Sequence, residues 1–138
     1  MEDCLFAKIA LFRSEKSSMS KVEPLLCDLR NKVKIPDDRF YNLLIAATEA
    51  FNNAIVHGNK LDPQKIVEVE LICKEGSLQI NIRDEGEGFD PEQVADPREP
   101  ENLLKENGRG IFLIKSLIDK VHIDTSDSGT TVEMIFNY

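Results

Sequence analysis

Thr48-Glu49-Ala50-Phe51-Asn52-Asn53-Ala54-Ile55-Val56-His57-Gly58-Asn59 closes the longest periodic segment of the chain. Phe40, Leu43, Leu44, Ala47, Phe51, Ala54 and Ile55 recur at steps of three and four, the apolar stripe of an amphipathic helix. Pro36 suits the start of that helix, and Gly58 suits its end in a left-handed cap. The polar side is unusual. Glu49 and Asn53 are one turn apart, so their side chains leave the same face. A carboxylate and an amide there, followed by His57-Gly58-Asn59, read more like a site than a solvated surface.

Two later stretches answer this one. Asp84-Glu85-Gly86-Glu87-Gly88-Phe89 follows a run with strand alternation, and Asn107-Gly108-Arg109-Gly110-Ile111 opens a second helical pattern. They are the dense glycine clusters of the chain. Asn53 offers an amide oxygen, a hard neutral ligand, and Mg²⁺ takes few protein ligands beside phosphate oxygens and water. Glu49, one turn away, is the candidate general base. Asp84 stands where a buried carboxylate accepts the exocyclic amine of adenine. Guanine presents an oxygen there, so the carboxylate also discriminates. Gly86 and Gly88 let the backbone pass close to base and ribose. Gly108 and Gly110 are expected just ahead of a helix N-terminus, whose N–H groups form an anion site. Taken singly, Asn53 reads equally as a helix-surface amide, Glu49 as a solvated helix carboxylate and Asp84 as part of an acidic turn. No Walker A ending is present, and the dinucleotide fingerprint fails because strand, glycine turn and helix are not contiguous.

Glu-x-x-x-Asn, Asp-x-Gly-x-Gly and Gly-x-Gly, in that order, resemble the N, G1 and G2 boxes of the GHKL ATPase superfamily. The wording Glu-Ala-Phe-Asn-Asn-Ala-Ile-Val-His-Gly-Asn and the short chain narrow the resemblance to bacterial anti-sigma-factor serine kinases. It covers roughly Leu5 to Phe136. It implies a Bergerat ATP-binding fold, with Asn53 as the Mg²⁺ ligand, Glu49 as the base and the ATP phosphates at Gly108 and Gly110. It also implies a threonine in the adenine network, at Thr130 rather than the adjacent Thr131. A strand threonine chosen for β propensity reads the same way. It implies a sigma factor and an anti-anti-sigma antagonist as partners, the antagonist being phosphorylated on serine, and a homodimer. Residues 91–107 become the expected ATP lid. Arg109, Lys60 and Lys105 match no defined position, and His57 reads as a helix-end partner of the last carbonyls.

The totals agree with this picture. At 138 residues the chain is expected to be one domain, able to bury about two-thirds of its unfolded surface. A net charge of −8 argues against direct nucleic-acid binding, which requires phosphate neutralisation. It suits a basic partner surface. Cys4, Cys27 and Cys73 lack metal-ligand spacing and are expected as small buried residues in a reducing compartment. An acidic start, with no apolar run of membrane-spanning length, predicts a cytoplasmic protein.

Along the chain, a strand is expected over Leu5 to Phe12 and a helix over about Ser20 to Val33, starting near Pro24. After the central helix come a hairpin through Glu75-Gly76, a long connection from Glu85 to Asn107 and a helix after Gly110. Ile111, Phe112, Ile114, Leu117 and Ile118 form the apolar set of that helix. A last hairpin turns at Ser126-Asp127-Ser128-Gly129. The fold class expected is α+β, a two-layer sandwich with helices on one face of a mixed, mostly antiparallel sheet. Competing readings are a nucleotide-gated binding module without transfer activity, a two-component sensor-kinase domain and a gyrase- or Hsp90-like machine. Glu49 argues against the first, because binding alone needs no base. The room before the central helix argues against the second, and the absence of a transducer after Tyr138 against the third.

Overall fold

The computed structural model describes residues 4–86 and 106–138. The order is β1 (Cys4–Arg13), a 3₁₀ turn (Lys16–Ser18), α1 (Val22–Arg30), α2 (Asp37–Asn53), a π turn (Ala54–Gly58), β2 (Ile66–Lys74), β3 (Ser77–Arg83), α3 (Glu106–Leu117), β4 (Lys120–Ser126) and β5 (Gly129–Asn137). The strands form one sheet in the order β1-β2-β3-β5-β4. Each neighbouring pair is antiparallel. The sheet expected to be mixed is therefore antiparallel throughout. β3 and β4 do run the same way, joined through α3, but β5 lies between them and bonds both.

Strand alternation decides which face is buried. Val67, Val69, Leu71 and Cys73 of β2 point inward, with Leu78, Ile80 and Ile82 of β3 and Met134 and Phe136 of β5. The opposite face carries a charged ladder in which Arg83 pairs with Glu68 and Glu70. The helices cover the inward face. α1 contributes Val22, Leu25, Leu26 and Leu29. α2 buries Phe40, Leu43, Ala47 and Phe51, and also Ala46 and Ala50 on the flank facing α3. Leu44, expected in the stripe, is only half-buried. α3 buries Ile111 and Ile114, and Ile118 just beyond its end is buried too, while Phe112 is turned about 100° off that face and stays exposed.

Arg39 of α2 donates to Asp119 beyond the C-terminus of α3 at 2.9 Å. Gly110, near the start of α3, lies against Glu49 and Asn53 near the end of α2. The two helices are therefore antiparallel, and the polar end of α2 faces the beginning of α3.

Three local expectations are corrected. The central helix does not stop in a left-handed glycine cap. α2 widens into the π turn Ala54–Gly58, and Lys60 and Leu61 take the left-handed φ values, 54° and 57°. α3 starts at Glu106, so Gly108 and Gly110 lie within its first turns rather than ahead of it. Cys27 is exposed on α1, whereas Cys73 is buried as expected.

Candidate functional site

A cleft of ≈ 170 Å³ opens between the end of α2, the start of α3 and the inner face of β3, β4 and β5. Ala50, Ala54, Ile82, Ile111, Val121, Ile123 and Val132 give it apolar walls, while Asn53, His57, Lys60, Asp84 and Thr130 supply polar groups. Few polar groups on an apolar lining is the usual make-up of a small-ligand site.

Asp84 is delivered by the end of β3. Its backbone N–H donates to the Thr130 carbonyl at 2.9 Å, so β5 holds it in place. Its Oδ1 accepts the N–H of Gly86 at 2.9 Å and of Thr130 at 3.1 Å. Oδ2 lies against Gly58 and accepts no hydrogen bond among the described residues. Burial raises the Asp84 pKa above the ordinary carboxylate value; the Gly86 and Thr130 N–H groups and the charge of Lys65 work against that rise. The result is a half-buried carboxylate with one committed and one uncommitted oxygen.

Glycine is required here for space. A Cβ on Gly58 would overlap the Asp84 carboxylate, and one on Gly86 would overlap the Gly58 carbonyl. Gly129, at φ +148°, has its own Cβ position filled by the Asp84 carbonyl. The π turn carries Gly58 into this contact. Such turns interrupt helices at functional sites more often than elsewhere.

At the other end, Glu49 and Asn53 converge on Gly110. A Cβ there would stand 2.9 Å from Asn53 Nδ2 and 3.1 Å from Glu49 Oε2. Of the sequence-derived candidates, Asn53, Asp84 and Thr130 line the cleft, Glu49 and Gly110 lie beside Asn53, and Gly86 packs on the cleft-lining Gly58. Thr130 is buried beside Asp84, and Thr131 pairs with Arg83 on the other strand face. Gly108 lies one helical turn from the cleft-lining Ile111. Gly88, Lys105 and residues 91–105 of the expected lid lie outside the described residues, while Glu106 and Asn107, expected in that connection, open α3. His57 lines the cleft and makes no hydrogen bond to the helix-end carbonyls among the described residues, contrary to the capping expectation.

Sequence reasoning missed Asn59. It is fully buried, and its side chain joins Ser14, Ile66 and Glu85. Its place directly after His57-Gly58 was visible; its burial was not.

The cleft thus combines apolar walls with the uncommitted oxygen of Asp84, and Asn53, which lines it, meets Glu49 at Gly110. Among the described residues no group of three or more His, Cys, Asp or Glu side chains could hold a metal alone. Mg²⁺ would therefore need phosphate oxygens beside Asn53, which is its ordinary habit.

Fold and site together define the class, an α+β ATPase domain. The model of the histidine kinase-like ATPase domain family matches residues 12–136. A serine-protein kinase RsbW of Bacillus licheniformis is 34% identical over 115 residues, covering 79% of this chain and 71% of the relative. An anti-sigma F factor of Anoxybacillus flavithermus is 32% identical over 103 residues, covering 71% and 69%. Among solved structures, the RsbU and RsbW domains of a Mycobacterium tuberculosis protein superpose with a TM-score of 0.67 at 14% identity. That match covers 96% of this chain and 32% of the other, so the chain spans about a third of that structure. At such identity the likeness speaks for the fold alone. The chain belongs to the histidine kinase-like ATPase domain family, alongside these anti-sigma serine kinases. Membership implies use of ATP. No helix among the described residues is long and apolar enough to cross a membrane.

Proposed function

We propose that this chain is an anti-sigma factor with ATP-dependent protein-serine kinase activity. It binds a sigma factor and phosphorylates a serine of a small anti-anti-sigma antagonist, which releases that antagonist. The observation that carries the reading is the convergence of Glu49 and Asn53 at Gly110, with Asn53 lining the same cleft as Asp84. The names of the relatives support the kinase and anti-sigma halves of it.

ATP supplies the γ-phosphoryl group. The substrate serine oxygen bonds to the γ-phosphorus, the bond from that phosphorus to the bridging oxygen breaks, and ADP leaves. Glu49 takes the serine hydroxyl proton as the new bond forms. Asn53 is the group that would hold Mg²⁺ through its amide oxygen. Asp84 reads the adenine amine through Oδ2, with Thr130 beside it and Gly86 admitting the Gly58 backbone next to that carboxylate. Gly108 brings a backbone N–H of the first turn of α3 toward the phosphates, and Gly110 lets the helix approach Glu49 and Asn53. Catalysis of this kind rests on positioning and charge neutralisation, so few side chains suffice. A homodimer, a single domain and a cytoplasmic location are carried from the sequence and its resemblance.

The test is transfer of label from γ-labelled Mg-ATP into an extract of the source cells, with wild type beside Glu49→Ala. One small labelled protein is expected with wild type alone, while both proteins bind ATP. Equal transfer by Glu49→Ala would remove the base. ATP binding without transfer by wild type would leave a nucleotide-gated binding module.

A further inference from the structure

We propose that Asn59 is a positioning residue for the base-reading carboxylate, a role that rests on the nucleotide reading of the cleft. Asn59 is fully buried, as is Ser14 at the end of β1. Its Nδ2 donates to Ser14 Oγ at 2.8 Å and to the Ile66 carbonyl, at the start of β2, at 3.2 Å. Its Oδ1 accepts the N–H of Glu85 at 2.7 Å. Ser14 Oγ in turn donates to the Lys65 carbonyl at 2.8 Å. Each donor and acceptor of the amide is thus used, and one of them holds the residue next to Asp84.

The surrounding backbone is committed to the same end. Asn59 N donates to the Ala54 carbonyl across the π turn at 2.8 Å. The chain then takes two successive left-handed non-glycine residues, Lys60 and Leu61. Strain of that kind persists where neighbours over-determine it. Glu85 is fastened a second time, its Oε2 accepting the Ile66 N–H at 2.6 Å. Gly58 and Gly86 pack against each other between these anchors. The amide therefore sets the spacing between the end of the central helix and the Asp84–Gly86 turn. A small drift of that turn moves Asp84 Oδ2 relative to the base, while Glu49 and Asn53 stay on α2.

The prediction is a split in the kinetics. Asn59→Ala and the milder Ser14→Ala are compared with wild type by thermal melting and, at a temperature below every melting transition, by ATP and GTP titration and phosphate transfer. Asn59→Ala is expected to weaken ATP binding roughly tenfold, with a smaller loss for Ser14→Ala, and to narrow the preference for ATP over GTP. The transfer rate at saturating ATP stays within about twofold. If Asn59→Ala does not fold, Ser14→Ala carries the test, with a several-fold loss of affinity expected. Lowered melting temperatures with wild-type ATP affinity and selectivity would overturn the positioning role. Failure of wild type to bind ATP would overturn the nucleotide reading as well.

Discussion

Asp84 brings a charge into an apolar cleft, and two backbone N–H groups stabilise it only in part. The sign of its pH dependence follows. Because its folded pKa is raised, the folded chain binds the proton more tightly than the unfolded one. The contribution of Asp84 to stability is therefore present at low pH and declines as pH rises from 3.8 through the raised folded value. Base recognition has the opposite sign, since the adenine amine needs an ionised acceptor. ATP affinity is expected to fall on acidification at a pH above the ordinary carboxylate range. Asp84→Asn can still accept from Gly86 and Thr130 through its remaining oxygen, so its ligand-free melting temperature at neutral pH should match or exceed wild type. Its ATP affinity should drop roughly ten- to hundredfold, without the acid-range dependence. Calorimetric titration across pH, beside thermal melts, checks both statements. Wild-type affinity in Asp84→Asn would remove the base-reading role.

α2 and α3 divide the work at the scale of elements. α2 carries Glu49 and Asn53 at a spacing of one turn, and α3 closes over them with the one residue type that leaves room. Gly110→Ala separates helix energetics from site geometry. Alanine favours a helix interior over glycine by about 1 kcal/mol. The added methyl would meet Asn53 Nδ2 at 2.9 Å and Glu49 Oε2 at 3.1 Å, both ends of side chains that can swing aside. Stability is therefore expected to hold or rise, while phosphate transfer falls roughly a hundredfold because the displaced groups lose their alignment. Melting curves and initial rates on the same preparation decide it. An unchanged rate would detach the start of α3 from the phosphate site.

In the whole molecule, the site also depends on core residues that it does not touch. Phe51 is fully buried on the opposite flank of α2 from Glu49, with its ring edge-on to Phe12 of β1 at 5.1 Å. Phe51→Ala is expected to cost about 3–5 kcal/mol, a large part of the 5–15 kcal/mol typical of a domain. Because ATP binds only the folded state, ATP at about a hundred times its dissociation constant should restore about 2.7 kcal/mol. Urea unfolding with and without Mg-ATP measures this. No shift with nucleotide would show that the cleft does not bind it in the folded state.

Over the full chain, the local patterns were enough for the elements and for half of the site. Period-two alternation in β2 and β3, and three- and four-residue steps in α2, are set by backbone geometry within a few residues. The same short range placed Glu49 beside Asn53 and put Asp84 at a strand end. What depends on distant neighbours was not legible. The insertion of β5 between β3 and β4 is a choice of hydrogen-bond partner that alternation does not encode. Gly58 looked like a helix cap because a glycine near a helix end usually is one; its use is to admit the Asp84 carboxylate, which only the packed chain brings there. Phe112 and Cys27 are apolar by type yet exposed, since burial follows the face that a neighbour covers. Asn59 is polar by type yet buried, because Ser14, Ile66 and Glu85 meet it only after the sheet has formed. Short-range pattern was enough for the helices, the strands and the residue types of an ATPase site. Tertiary structure decided their order in the sheet and the close approaches that make the cleft, because both arise from groups far apart in the chain.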